Sequence, residues 1–177
     1  MKGENRKGLL MIFTGNGKGK TTAAIGLSVR AAGHGMRTCF IQFIKGSWHY
    51  GEMDALKRLS DLIDLEVMGR GFTWKSDDLE KDKKEAKNAW EHAKKVILSC
   101  DYDIVVLDEF TYAINYSMVD LEDVVETLKK RPQRLHVVVT GRDAPDELIQ
   151  IADLVTEMKE VKHPFKAGIK AQKGIEF

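Results

Sequence analysis

The chain is expected to fold as an open α/β sheet of mainly parallel strands with helices on both faces. Three observations predict it. Apolar runs of strand length alternate with helical patterns along the chain. A glycine-rich turn joins the first such run to the first helix. A later run, Ile104-Val105-Val106-Leu107, is continuously apolar and then abruptly acidic, as a strand covered on both faces and opening on a site should be.

The first run is Gly8 to Phe13, and the helix that follows its glycine-rich turn ends near Gly33-His34-Gly35, where glycine supplies the cap. Thr38 to Phe43 reads as a second buried strand, and a loop from Lys45 to Glu52 leads to a short helix reaching Leu59. Leu62 to Met68 is the third strand. A long helix follows: Ser76 or Asp77 can cap it, Asp77, Asp78 and Glu80 suit its positive end, and Lys94 and Lys95 suit the other. Ala86, Ala89, Trp90, Ala93, Val96 and Ile97 recur at helical spacing, so Trp90 is read as core. After the Asp103–Leu107 strand come a helix around Asp120–Lys130, a strand Leu135–Thr140, a helix near Pro145–Ile151 and a last strand Leu154–Met158.

At 177 residues the chain accommodates one domain with a sizeable core, assigned to residues 8–177, after a polar, flexible segment of residues 1–7. With 28 basic and 27 acidic residues, bulk charge favours neither nucleic acid nor an anionic membrane surface. Two cysteines, Cys39 and Cys100, are too few for a disulfide framework and read as reduced core thiols. No signal peptide or bilayer-length apolar run is visible, so a cytoplasmic protein is expected.

The chemistry centres on Thr14-Gly15-Asn16-Gly17-Lys18-Gly19-Lys20-Thr21-Thr22. Strand, glycine turn, Gly-Lys-Thr and helix are the layout of a phosphate-binding loop, in which curled backbone N–H groups and a helix N-terminus face one anion. Lys20 would reach the outer phosphates and the Thr21 hydroxyl would ligate Mg²⁺. The usual first glycine of this pattern falls at position 14, where this chain has Thr14, with Gly15 and Gly17 inside the loop instead. Asp108 and Glu109, ending an apolar strand, are the acidic partners such a loop needs: one carboxylate for the metal, the other for water or substrate. Gly69-Arg70-Gly71-Phe72-Thr73-Trp74 puts two aromatics on a glycine-flanked loop, to cover a flat apolar ligand or to plug the core. Lys45 or Trp48 could line a site in the same way.

These stretches, with Gln42-Phe43-Ile44-Lys45-Gly46, Gly51-Glu52, Thr140-Gly141-Arg142 and the tail His163-Pro164-Phe165, Gly168, Ala171-Gln172 and Gly174-Ile175-Glu176, resemble the ATP:cob(I)alamin adenosyltransferases of the CobA/CobO/BtuR type. The resemblance runs from about residue 8 onward. It implies a P-loop, RecA-like fold and a homodimer that moves the 5′-deoxyadenosyl group of ATP onto the reduced cobalt of a corrinoid, releasing triphosphate. It further implies Mg²⁺ (or Mn²⁺) held by Thr21 and Glu109 with Asp108 nearby, and a flavoprotein reductase as electron donor. ATP would lie on residues 14–22 in an orientation reversed from ordinary P-loop hydrolases. Lys20, Glu109, Phe72 and Trp74 would carry the reaction, the two aromatics packing under the corrin to displace its lower ligand and ease reduction. Some relatives cover the nucleotide with an N-terminal helix, for which the few residues before Gly8 are no match. His163 is assigned no catalytic role. Two rivals stand beside this reading. One is a P-loop nucleotide or small-molecule kinase, for which Arg70 and Arg142 are the candidate lid arginines. The other is a non-catalytic ATP-binding regulator whose aromatic loop docks a protein.

Overall fold

The computed structural model describes residues 7–44, 49–68 and 79–177. The apolar runs become β1 (Leu10–Thr14), β2 (Thr38–Gln42), β3 (Ile63–Val67), β4 (Ile104–Asp108), β5 (His136–Thr140) and β6 (Leu154–Glu157). The helices are α1 (Lys20–Ala32), α2 (Gly51–Lys57), α3 (Leu79–Leu98), α4 (Thr111–Asn115), α5 (Leu121–Lys129) and α6 (Asp146–Ile151), with a 3₁₀ turn at Pro164–Ala167. The six strands lie in the order β3-β2-β4-β5-β1-β6, and every pairing is parallel. The expected sheet was mainly parallel; the observed one is wholly so, because each connection crosses over a face of the sheet and leaves no hairpin.

Side chains alternate between the two faces at the strand period of two. Leu10, Ile12, Val105, Leu107, Val137 and Val139 pack with α3, α5 and α6. Met11, Val106 and Val138 point the other way, against α1 and α2. Trp90 is core as expected: it is 2% exposed, stacks on Phe110 at 5.1 Å, and its indole N–H donates to Asp123 at 2.7 Å. Phe110 in turn meets Phe43 at 4.6 Å. An aromatic stack therefore runs beneath the carboxyl end of β4.

Several local expectations needed correction. β1 starts at Leu10, not Gly8; Gly8 instead passes so close to Leu135 that a Cβ would stand 2.0 Å from its carbonyl oxygen. The end of α1 is as expected: Gly33 is its C-cap and Gly35 (φ 71) makes the left-handed turn that follows. Cys39 is buried, but Cys100 is exposed at φ 65, where the chain turns from α3 towards β4, so only one of the pair is a core thiol. The α4 helix had no counterpart in the sequence reading; five residues are too few to show a helical period. Finally, β6 is exposed along its length at the sheet edge. Ser76, Asp77 and Asp78, expected to start the long helix, and residues 1–6 lie outside the described residues. Among the described residues no helix is long and apolar enough to cross a membrane.

Candidate active site

The loop between β1 and α1 is bent by Gly15 (φ 92) and Gly19 (φ 113), conformations that a side chain would strain. The displaced glycines have a tertiary cause. The chain leaving β6 lies on the loop: the Gly17 N–H donates to the Met158 carbonyl at 2.6 Å, and the Met158 N–H donates to the Thr14 carbonyl at 2.8 Å. A Cβ on Gly15 or on Gly17 would stand 2.6 Å from that same Met158 oxygen. Thr14, by contrast, turns its hydroxyl to accept from the Ala144 N–H at 3.2 Å and serves as frame behind the loop.

Lys20 opens α1 and is only 7% exposed. Its ammonium donates to the Gly15 carbonyl at 2.7 Å and the Gly17 carbonyl at 2.9 Å. Burial pulls its pKa below the ordinary lysine value; Glu109 is the foremost charge opposing that shift, and Arg142 adds to it. Glu109 therefore shares the field of the loop lysine.

The acidic pair is delivered by β4 and locked by β5, which lies between β4 and β1. Asp108, the last residue of β4, is fully buried, and one of its oxygens accepts from the Thr140 hydroxyl at 2.8 Å. The same Thr140 oxygen accepts from the Glu109 N–H at 2.8 Å. Glu109 occupies the left-handed region (φ 57), which directs it away from the strand line and into the cavity. One threonine thus fixes the Asp108 carboxylate and the Glu109 backbone. Directly after it, Gly141 (φ 144) passes so near Thr111 that a Cβ would stand 2.0 Å from the hydroxyl oxygen, which itself donates to the Arg142 carbonyl at 2.6 Å.

These pieces enclose a cavity of about 900 Å³ walled by residues 16–22, Glu109, Tyr112, Arg142 and residues 174–177. Asn16 to Thr22 and Glu109 thus meet at one site, while Thr14 stands behind it and Asp108 is buried under it. Phe72, Trp74, Arg70, Lys45 and Trp48 lie outside the described residues. The sequence reading missed two contributions. The rings of Tyr112 and Tyr116 lie parallel and offset (centroids 6.3 Å apart, 2° between planes) along the wall, an i,i+4 aromatic pair placed just after Asp108-Glu109. The other is the tail: Gly174-Ile175-Glu176, which the sequence shows only as family motif, line the cavity together with Phe177. Burial, then the Glu109 charge, raises the Tyr112 pKa, so its hydroxyl stays protonated.

The parallel sheet, the glycine loop on the helix N-terminus and the carboxylates at the strand ends define a nucleotide-binding α/β protein of the P-loop class. The chain belongs to the ATP:corrinoid adenosyltransferase family BtuR/CobO/CobP, whose model matches residues 6–177. It is 42% identical over 174 residues to the corrinoid adenosyltransferase of Escherichia coli (strain K12), covering 98% of this chain and 88% of that one. To the corrinoid adenosyltransferase of Pseudomonas aeruginosa it is 45% identical over 173 residues, covering 98% and 85%. Among solved structures, flagellar accessory protein FlaH from Methanocaldococcus jannaschii superposes with a TM-score of 0.59 at 16% identity, covering 88% of this chain and 73% of that one, and shares the fold.

Proposed function

We propose that residues 8–177 form one catalytic domain that transfers the 5′-deoxyadenosyl group of ATP to the cobalt(I) of a corrinoid. The observation that carries this reading is the convergence of the glycine loop, Lys20 and Glu109 on one cavity, in a chain of this family. Cobalt(I) is itself a strong nucleophile, so the protein needs to supply none. The new bond joins cobalt to C5′; the C5′–O5′ bond breaks, and its electron pair leaves with triphosphate. The chain's task is to hold C5′ in line with the metal and to stabilise the developing charge on the leaving oxygens.

In this reading the N–H groups of Asn16, Lys18 and Gly19, which line the cavity, and the Lys20 ammonium, released from its loop carbonyls, bind triphosphate, while the Gly17 N–H stays with Met158. Thr21 and Glu109 hold Mg²⁺ (or Mn²⁺), with Asp108 behind them. An all-oxygen set of one hydroxyl and one or two carboxylates suits a hard cation that also takes phosphate and water oxygens, and Glu109 and Thr21 both face the cavity. Such a cation would neutralise charge on the phosphate oxygens. Tyr112 and Tyr116 offer a flat apolar wall beside it. Phe72 and Trp74 are assigned the lower face of the corrin.

The exposed edge strand β6, with Leu154 and Val155 each 40% exposed and Phe165 79% exposed nearby in sequence, supports a homodimer. A flavoprotein reductase is the proposed electron donor, and the cytoplasm the proposed location. Identifying the polyphosphate product tests the reaction. Intact triphosphate, formed together with a cobalt–carbon bond, is expected; ADP would instead establish the kinase alternative.

A further inference from the structure

We propose that residues 172–177 form a strap over the phosphate loop, in which Glu176 holds Lys18 and competes with triphosphate for it. The proposal rests on the phosphate-loop reading above and adds to it a residue that governs occupancy and release.

Both loop lysines are paired within the chain. Lys20 is held by the carbonyls of Gly15 and Gly17, and Lys18 by the Glu176 carboxylate. The strap is curled on itself: the Gly174 N–H donates to the Phe177 carbonyl at 2.7 Å, and the Glu176 N–H donates to the Gln172 carbonyl at 2.8 Å. Gly174 takes φ 80, which makes that turn possible. The unit can therefore lift without losing these internal hydrogen bonds. Its apolar side chains wall the cavity while Ile175 remains 73% exposed, so they add little to its hold.

Charge decides what happens when substrate arrives. The cradle that Lys18 belongs to is shaped for anions, and Glu176 places one negative charge beside it. Triphosphate brings several, and a carboxylate left in place would repel them. Lys18 must then exchange Glu176 for a phosphate oxygen, and the strap loses its latch. The reverse exchange matters at the end of the reaction. Free triphosphate is the most highly charged species the loop holds, and Glu176, retaking Lys18, assists its departure.

The test is titration calorimetry of inorganic tripolyphosphate with Mg²⁺ into the full chain, comparing the native protein with Glu176→Gln. Removing the competing charge is expected to tighten binding roughly two- to fivefold, the range that a partly exposed ion pair commands. In parallel, tryptic cleavage after the exposed Lys173 should quicken on adding tripolyphosphate to the native chain, and be fast from the start in Glu176→Gln. Unchanged or weaker binding by Glu176→Gln, or cleavage indifferent to tripolyphosphate, overturns the strap while leaving the phosphate loop intact. A native chain that binds neither ATP nor tripolyphosphate overturns the loop reading, and the strap with it.

Discussion

Asp108, buried beneath the cavity, and Glu176, in its wall, are carboxylates held in opposite ways. Asp108 ends a central strand, is wholly buried, and is fixed by the Thr140 hydroxyl. Glu176 sits on a segment whose turns are its own, and an ion pair with the half-exposed Lys18 joins it to the loop. Parallel strands on both sides of β4 fix the first position in the sheet. The second depends on an interaction worth about 1 kcal/mol at most in water. The difference teaches a division of labour. Groups that must meet charge in a fixed geometry are delivered by the sheet, and groups that must move are tied on by surface contacts with low local stability.

Mutations on the sheet side should break function or folding, and their sizes sharpen the contrast. The largest effect is expected from Lys20→Ala, which removes the buried phosphate clamp: ATP-dependent corrinoid adenosylation should fall by about 100-fold or more, with the fold retained by circular dichroism. Near-native turnover would detach the loop from the reaction. Gly141→Ala comes next, since its Cβ would meet Thr111 in a backbone region that disfavours side chains. A loss of about 3 kcal/mol in urea unfolding is expected, and a loss under 1 kcal/mol would mean that Thr111 yields freely.

Thr140→Val keeps the shape but removes the hydroxyl that serves both Asp108 and Glu109. It should cost about 1–3 kcal/mol and lower turnover, since it leaves a buried carboxylate short of a donor. An unchanged enzyme would show that the two acids are fixed by backbone alone. The smallest effect is that of Trp90→Phe, which removes the N–H to Asp123: about 1 kcal/mol of stability from the lost hydrogen bond.

That last variant has a pH signature. The Trp90 N–H, then Lys94, holds the Asp123 carboxyl below its ordinary pKa, against the opposing effect of burial. The resulting stabilisation is present above the ordinary carboxylate value of about 4 and is lost as pH falls through the lowered folded value. The stability gap between the native chain and Trp90→Phe should therefore narrow below about pH 4, as read by denaturant midpoints across acidic pH. A gap constant over that range would assign the effect to packing.

Much of the fold and the inner site was legible in the residues. Continuous apolar runs such as Ile104–Leu107 mark doubly covered strands whatever surrounds them, and Gly-Lys-Thr between a strand and a helix marks an anion cradle from spacing alone. Ala86, Ala89, Trp90, Ala93, Val96 and Ile97 announced the inward face of α3; five are buried and Val96 is partly buried against the same core. These are properties of short stretches, decided by backbone geometry and hydrophobic period, and one chain segment suffices to reveal them.

Other features exist only because distant segments meet. Glycine at 15 and 17 in place of 14 has no local reason; the Met158 carbonyl supplies it from more than a hundred residues away. Thr140 was one residue of a strand until the order β4-β5-β1 put its hydroxyl between Asp108 and Glu109. Tyr112, Tyr116 and the 174–177 segment join the cavity wall for the same reason. The sequence by itself determined which elements form and where an anion can bind, because period, turn chemistry and helix ends are local. Tertiary structure alone decided which side chains share that anion's surroundings, because strand order and crossover set proximity and no short stretch encodes either.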